Sequence, residues 1–462
     1  MTWKRSIITL ALAAAAFMAP AALLAEEVTE PAAVQAATTS AQQAAPAPVA
    51  APAEAAPSSA PAARLDTGDN AWLLISSALV LLMLPGLALF YGGMVRSKNI
   101  LSTMMHSFVA MGIVGVQWYV MGYSLVFGTD IGGFSGGVNK LLLYGVALGS
   151  LPGNISQYTF SPFQGVFAII TIPLISGALA ERIKFSAYCV FALIWTTLVY
   201  DPIAHWVWGG GWIAKLSPAA LDFAGGTVVH LASGVSALAA LVFLGRRHGF
   251  PTERMAPHNL PFTLLGAGLL WFGWYGFNAG SALAANGTAA LAFVNTTVAP
   301  AAAGLSWMIA EWIHSGRPSA LGFASGVVAG LVGVTPAAGF VTPGWAVIIG
   351  LGAGVVCYGA ILVKARLKYD DSLDAFGVHG VGGTFGALAT GLVASVGAKG
   401  LIYGEPAQFM SNLIGIAAAG AYAFIVTLAI AFILDKTIGL RVEKEDEIMG
   451  LDQPQPPESA YT

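Results

Sequence analysis

Residues 222–245 read DFAGGTVVHLASGVSALAALVFLG. An aspartate, two glycines and a histidine open an apolar run of the length that crosses a hydrocarbon core, about 20 residues. Ionisable groups are costly in such surroundings, so an intramembrane histidine is a candidate for function unless a neighbour satisfies it. A second stretch answers the first. DAFGVHGVGGTFGAL, residues 374–388, again begins with an acid, Asp374, and carries His379 among glycines. The fold follows from asking what would place two such segments in one chain.

Composition points to a membrane. Of 462 residues, 9% are charged, 56% are apolar and 56 are glycine; a soluble domain has about 25% charged residues. Mean hydropathy is +0.74. Abundant small residues allow helices to approach closely in lipid. A net charge of −3 gives no electrostatic basis for binding nucleic acid. Cys189 and Cys357 lie in apolar runs, read as small buried hydrophobes, and form no metal-binding pattern.

The first 25 residues have the form of a signal peptide: Lys4 and Arg5, an apolar run from Ile7 to Phe17, then small residues up to Ala25. An uncleaved first helix is the alternative. Residues 26–65, rich in Ala and Pro, have little to bury and read as a disordered extracytoplasmic tether. The transmembrane domain is expected over 66–435 and a cytoplasmic tail over 436–462. Eleven apolar spans are expected at 71–95, 104–128, 161–180, 186–204, 224–245, 260–280, 289–312, 319–335, 344–364, 376–395 and 412–434. Residues 131–160 are too rich in Gly and polar groups for a twelfth and read as an outer loop.

With the mature N-terminus outside, fourteen Lys and Arg fall on inner connections and only four on outer ones, as the positive-inside rule requires. The C-terminus is then cytoplasmic and the location is the inner (plasma) membrane. Five spans followed by five of opposite direction is the arithmetic of an inverted repeat. The fold class predicted is therefore all-α and polytopic: eleven transmembrane helices in a 5+5 inverted repeat plus one. A pseudo-two-fold axis would bring His230 and His379 together near mid-membrane. His106 has no such match. His205, at the outer end of span four, is expected to face water, and His248, His258 and His314 to be solvated on inner connections. Asp222, at a helix start, caps free amides or contacts a cation.

DFAGGTVVH, together with GWYGFNAGSA (273–282), FGVHG (376–380) and PGLALFYGGMVRSKN (85–99), resembles the ammonium transporter family (Amt/Mep/Rh), on its bacterial Amt side. The resemblance spans about residues 68–452. It implies a homotrimer with one narrow pore per subunit, no cofactor and no catalytic residue. It further implies an outer ammonium vestibule walled by Trp208 and Phe167, with Ser281 bonding the cation and Asp222 in support. Phe167 and Phe277 would form a stacked phenyl gate, and His230 and His379 the twin pore histidines. Aromatic faces attract a cation, and neutral imidazoles both give and accept hydrogen bonds. The tail GLRVEKEDEIMGLD (439–452) resembles the family's cytoplasmic tail and implies a regulatory partner of the PII type at the cytoplasmic face. The function implied is uptake: cation recruited, deprotonated, and passed as ammonia through an apolar pore.

Other classes leave different marks. A water channel would carry paired Asn-Pro-Ala motifs, and none occurs. A bis-His haem electron-transfer protein needs space for a macrocycle between the histidines. An ammonium sensor is expected to carry an appended signalling domain, for which the residues after the last span are few.

Overall fold

A computed structural model of the chain describes residues 65–149, 153–455 and 457–461. The expected signal peptide, and the expected tether up to residue 64, lie outside the described residues. Eleven helices among the described residues are long and apolar enough to cross a membrane. They are α1 (Thr67–Met94), α2 (Ser97–Phe127), α3 (Gln157–Leu179), α4 (Phe185–Val207), α5 (Gly226–Leu244), α6 (Leu260–Gly280), α7 (Gly287–Ser315), α8 (Ala320–Ala337), α9 (Pro343–Leu367), α10 (Phe376–Val393) and α11 (Pro406–Thr437). A short helix, α12 (Lys444–Met449), lies in the tail. Every expected span is present. The largest shift is at the start of α2, at residue 97 rather than 104. Its first turns are polar, and protein rather than lipid satisfies them: Thr103 donates to Asn99 O at 2.6 Å, and Ser102 and Thr103 are both buried.

α3 and α5 are almost wholly buried, whereas α9 and α11 turn much of their apolar surface outward, as helices hydrophobic all round must in lipid. Corresponding helices of the two halves meet. α1, the first helix of one half, runs along α6, the first of the other, and α5 meets α10. A Cβ on Gly273 would lie 2.6 Å from the carbonyl of Leu79, so α1 and α6 touch backbone to backbone. Four spans contain a π-helical turn, at Trp118–Gly122, Thr196–Tyr200, Gly226–Leu231 and Phe376–Gly380. Such wide turns are rare and concentrate at functional sites.

Residues after α2 form no span. They hold a hairpin, β1 (Asp130–Ile131) antiparallel to β2 (Ser135–Gly136), in agreement with the expected loop. On the opposite face, connections from four hairpins of helices meet in one ionic cluster. Arg96 and Arg247 bond Glu181 at 3.0 and 2.9 Å, and Arg247 bonds Asp370 at 2.7 Å. Burial works against the Glu181 carboxylate, but Arg247 and Arg96 hold it below its ordinary range. Burial likewise opposes Asp370, yet Arg182 and Arg247 hold it down at about 2. The tail folds onto this cluster. Glu447 accepts from Arg441 Nη2 at 2.7 Å, and Leu451 N donates to Asn99 Oδ1 at 2.8 Å. Asp452 accepts the amides of Leu101 (3.1 Å) and Ser102 (2.9 Å), so the tail caps the start of the helix in α2.

Candidate functional site

The two histidine segments begin alike. Asp222, 8% exposed, accepts four backbone amides, from Gly225 (2.9 Å), Gly226 (2.6 Å), Thr227 (2.9 Å) and Val228 (3.0 Å). These are the orphan donors of the first turn of α5. Burial pushes its carboxyl above the ordinary range while the four amides pull the other way. With four donors the carboxylate is saturated, which favours capping over direct contact with a cation. Gly225 has φ of 107°, a conformation that favours glycine. Gly226 lies against the Pro336 ring, at 2.5 Å from an added Cβ.

In α10 the matching acid is not Asp374 but Asp371. Asp371 accepts the amides of Ala375 (3.0 Å) and Phe376 (2.8 Å). The interval from 371 to 379 equals that from 222 to 230, so Asp371, not Asp374, is the repeat of Asp222. Asp374 has a left-handed backbone, φ 61°, and pairs with Lys364. The eye catches Asp374 because it opens the apolar run. The signal that identifies Asp371 is the shared interval to the histidine.

α5 and α10 cross in contact. A Cβ on Gly234 would overlap the backbone of Gly380, and one on Gly383 would sit 2.7 Å from the carbonyl of Gly226. The crossing brings the π turns together and sets His230 Nδ1 3.3 Å from His379 Nδ1, with rings 25° apart. Both rings are buried, at 2% and 4% exposure. One Nδ1 must donate and the other accept, so one proton is shared along that contact. The rings are bonded to each other rather than aimed at a shared iron, which removes the haem reading.

Above the pair stand aromatic rings. Phe167, from α3, and Phe277, from α6, stack with centroids 4.2 Å apart and planes 21° apart. Trp208 meets Phe167 edge-on at 5.9 Å, and its indole donates to Asp222 O at 3.0 Å. Ser281 follows the last turn of α6 and donates to Phe277 O at 2.8 Å, leaving its oxygen able to accept. A cavity runs from Phe277 to His230 and His379, walled by Leu87, Ile170, Leu174 and Val328. Trp274 also lines it and stacks on His230 at 5.3 Å, held by a bond from its indole to Thr335 Oγ1 at 2.9 Å. Trp274 lies within a quoted motif, GWYGFNAGSA, yet nothing in its residue type singles it out from the other eleven tryptophans.

The remaining histidines stay apart from the pair. His106 is buried against Tyr188, 4.4 Å between centroids, and neither nitrogen has a hydrogen-bond partner among the described residues. His205 does not face water; it is fully buried with both nitrogens bonded. His248 and His258 are half-buried and bonded to the tail, through Glu447 and Tyr461. His314 is exposed, as expected.

Comparison with known proteins bears on this arrangement. A sequence model described as Ammonium Transporter Family matches residues 71–461. Ammonium transporter Amt1 of Archaeoglobus fulgidus is 48% identical over 401 residues, covering 86% of this chain and 100% of that protein. The ammonium transporter of Bacillus subtilis is 48% identical over 405 residues, covering 86% and 99%. Among solved structures, Candida albicans Mep2 superposes with a TM-score of 0.78 at 36% identity, over 83% of this chain and 88% of that one.

Proposed function

This chain belongs to the ammonium transporter family, and from that premise we propose how it moves its substrate. It is a multi-pass membrane transporter for ammonium, a non-enzymatic channel. In our reading the cation is drawn to an outer vestibule by the faces of Trp208 and Phe167, each such contact contributing about 0.5–2 kcal/mol. The Ser281 oxygen accepts a hydrogen bond from ammonium that a bare potassium ion could not give. Asp222 supports the site by fixing the start of α5 and the indole of Trp208, without touching the ion. Phe167 and Phe277 then close the way to any hydrated ion.

Below the gate the walls are apolar apart from the histidines, and an isolated charge there is costly. The cation therefore gives up its proton above or at the gate; ammonia passes along the cavity, and the proton crosses separately by way of the histidine pair, so that one net charge moves with each ammonia. His230 and His379 are the polar groups that meet it. Their direct Nδ1 contact carries the proposal: a donor–acceptor pair can pass a neutral molecule from one ring to the next, and can hand a proton along by exchanging roles. The same reading takes the protein as a homotrimer in the inner membrane, with the mature N-terminus outside. The folded tail would face the cytoplasm, where a PII-type protein would dock. Residues 1–25 are taken as a cleaved signal peptide. Removal of a signal peptide of that extent would be read from the N-terminal sequence of the purified protein.

Currents on proteoliposomes under an ammonium pulse, with potassium as control, test the assignment. His230→Ala and His379→Ala are expected to abolish or alter ion-linked transport while assembly, read by size-exclusion chromatography, is preserved; wild-type currents in both would overturn the paired-histidine mechanism. Ser281→Ala is expected to raise the half-saturating ammonium concentration about three- to tenfold, the scale of one hydrogen bond, with little change in assembly.

A further inference from the structure

His205 lies at the outer end of α4, three residues before Trp208. Its ring is fully buried, and each nitrogen has one partner: Nδ1 is 2.6 Å from Val126 O, and Nε2 is 2.9 Å from Asp130 Oδ1. A carbonyl and a carboxylate only accept, and a neutral imidazole has one N–H. The two contacts together call for a ring protonated on both nitrogens. Asp130 is equipped to hold that charge. Its Oδ2 meets Lys215 Nζ at 2.5 Å, and Oδ1 also accepts the amide of Gly133 at 2.8 Å. Lys215 and then His205 hold its carboxyl down at about 2, so it stays ionised across the working range.

The turn that carries Trp208 is wrapped around this ring. His205 O accepts the amides of Gly209 (3.0 Å) and Gly211 (2.9 Å), and Trp208 N donates to Ala204 O at 2.8 Å. A Cβ on Gly209 would come within 2.6 Å of His205 Nδ1. Two bonds run from the same turn to the β1–β2 hairpin, Trp212 N to Gly133 O (3.0 Å) and Trp206 Nε1 to Phe134 O (2.8 Å). Asp130 belongs to that hairpin. The hairpin and the turn are thus joined by these two bonds and by the buried imidazole between them, and the turn carries the indole that bonds Asp222 and lies against Phe167.

We propose that His205, held as an imidazolium between Val126 and Asp130, is a positioning residue that fixes Trp208 as a wall of the outer ammonium site. The proposal rests on the reading of Trp208 and Phe167 as that site. Other charged or titratable groups surround the ring at one remove: Lys215 beyond Asp130, Lys140 bonded to Phe127 O, Asp201 a turn earlier on α4, and Asp222 across Trp208. Asp130 is the ionisable group bonded to the ring. Without that charge, the Nε2–H faces only a neutral amide oxygen, and the bridge from the hairpin to the turn is held when outer protons are plentiful and lost when they are scarce.

The full chain in proteoliposomes provides the test, with ammonium-dependent current recorded at outer pH 5.5 to 7.5 and inner pH fixed. The wild type is expected to show an apparent KM that stays flat across this range. Asp130→Asn is expected to match it at pH 5.5 and to rise about three- to tenfold by pH 7.5, the scale of one charge-assisted hydrogen bond, with maximal current unchanged. His205→Gln, which cannot titrate, is expected to show a raised KM with no pH slope. A KM in Asp130→Asn equal to wild type throughout, a fall in maximal current alone, or a pH slope in His205→Gln like that of Asp130→Asn would overturn the positioning role. A wild-type chain with no ammonium-dependent current would overturn the functional reading, and the proposal with it.

Discussion

A carboxylate that accepts four amides cannot be exchanged for an amide without loss. In Asp222→Asn the side-chain nitrogen would face two of the amides of Gly225 to Val228. Leaving buried donors unpaired costs about 1–3 kcal/mol each. The variant should therefore melt at a lower temperature in detergent and lose most of its ammonium current. Asp371→Asn, with two amides to satisfy, should lose less stability, because the amide can turn its oxygen toward one of them. At this scale the sequence was readable where cost made residues conspicuous. Two histidines and an acid stood out against an apolar run. Asp371 and Trp274 did not. Asp371 lies in a polar connection where acids are ordinary, and a tryptophan in a membrane helix is equally at home against lipid.

The crossing of α5 and α10 has no room for a methyl group. Gly234→Ala would drive Cβ into the Gly380 backbone, whereas Gly112, on α2, has nothing within 4 Å of an added Cβ. Overpacking of this kind costs about 1–3 kcal/mol. Thermal midpoints in detergent should fall for Gly234→Ala and remain within error for Gly112→Ala; equal effects would mean the crossing can open without penalty. The spans themselves were legible because hydrocarbon thickness sets their length and hydropathy reports it. Their interiors were not. A π turn differs from an α turn by one residue of hydrogen-bond register, and the apolar pattern around His230 and His379 looks the same for either. The start of α2 was misjudged for a related reason: hydropathy scores a polar turn as outside the membrane, while Ser102 and Thr103 are buried and Thr103 is bonded to its own helix through Asn99 O.

Taken whole, the molecule is held differently on its two faces. One closes through hydrogen-bonded turns and a hairpin, the other through the ionic cluster of Glu181, Asp370, Arg96, Arg182 and Arg247. Asp370 is depressed in the folded chain to about 2, so its contribution is present above the ordinary carboxylate range and is lost as pH falls through about 4 toward 2. The thermal midpoint should be level from pH 7 to pH 5 and fall steeply below about pH 4. Asp370→Asn should lower the midpoint at pH 7 and flatten part of that fall; an unchanged pH profile would show that the cluster does not couple to stability. None of these pairings was visible beforehand. Charge counts placed the basic residues on one side, but which arginine meets which acid depends on how four connections converge.

Truncation is the usual way to ask what a terminal segment regulates, and here it would ask two questions at once. Asp452 supplies amide acceptors to a helix whose own first residues supply none. A chain shortened before residue 452 therefore has an uncapped second span as well as an uncovered ionic cluster. A drop in transport after such a cut would be ambiguous between lost control and a frayed helix. Asp452→Asn, or an intact tail carrying Glu447→Gln, separates the two.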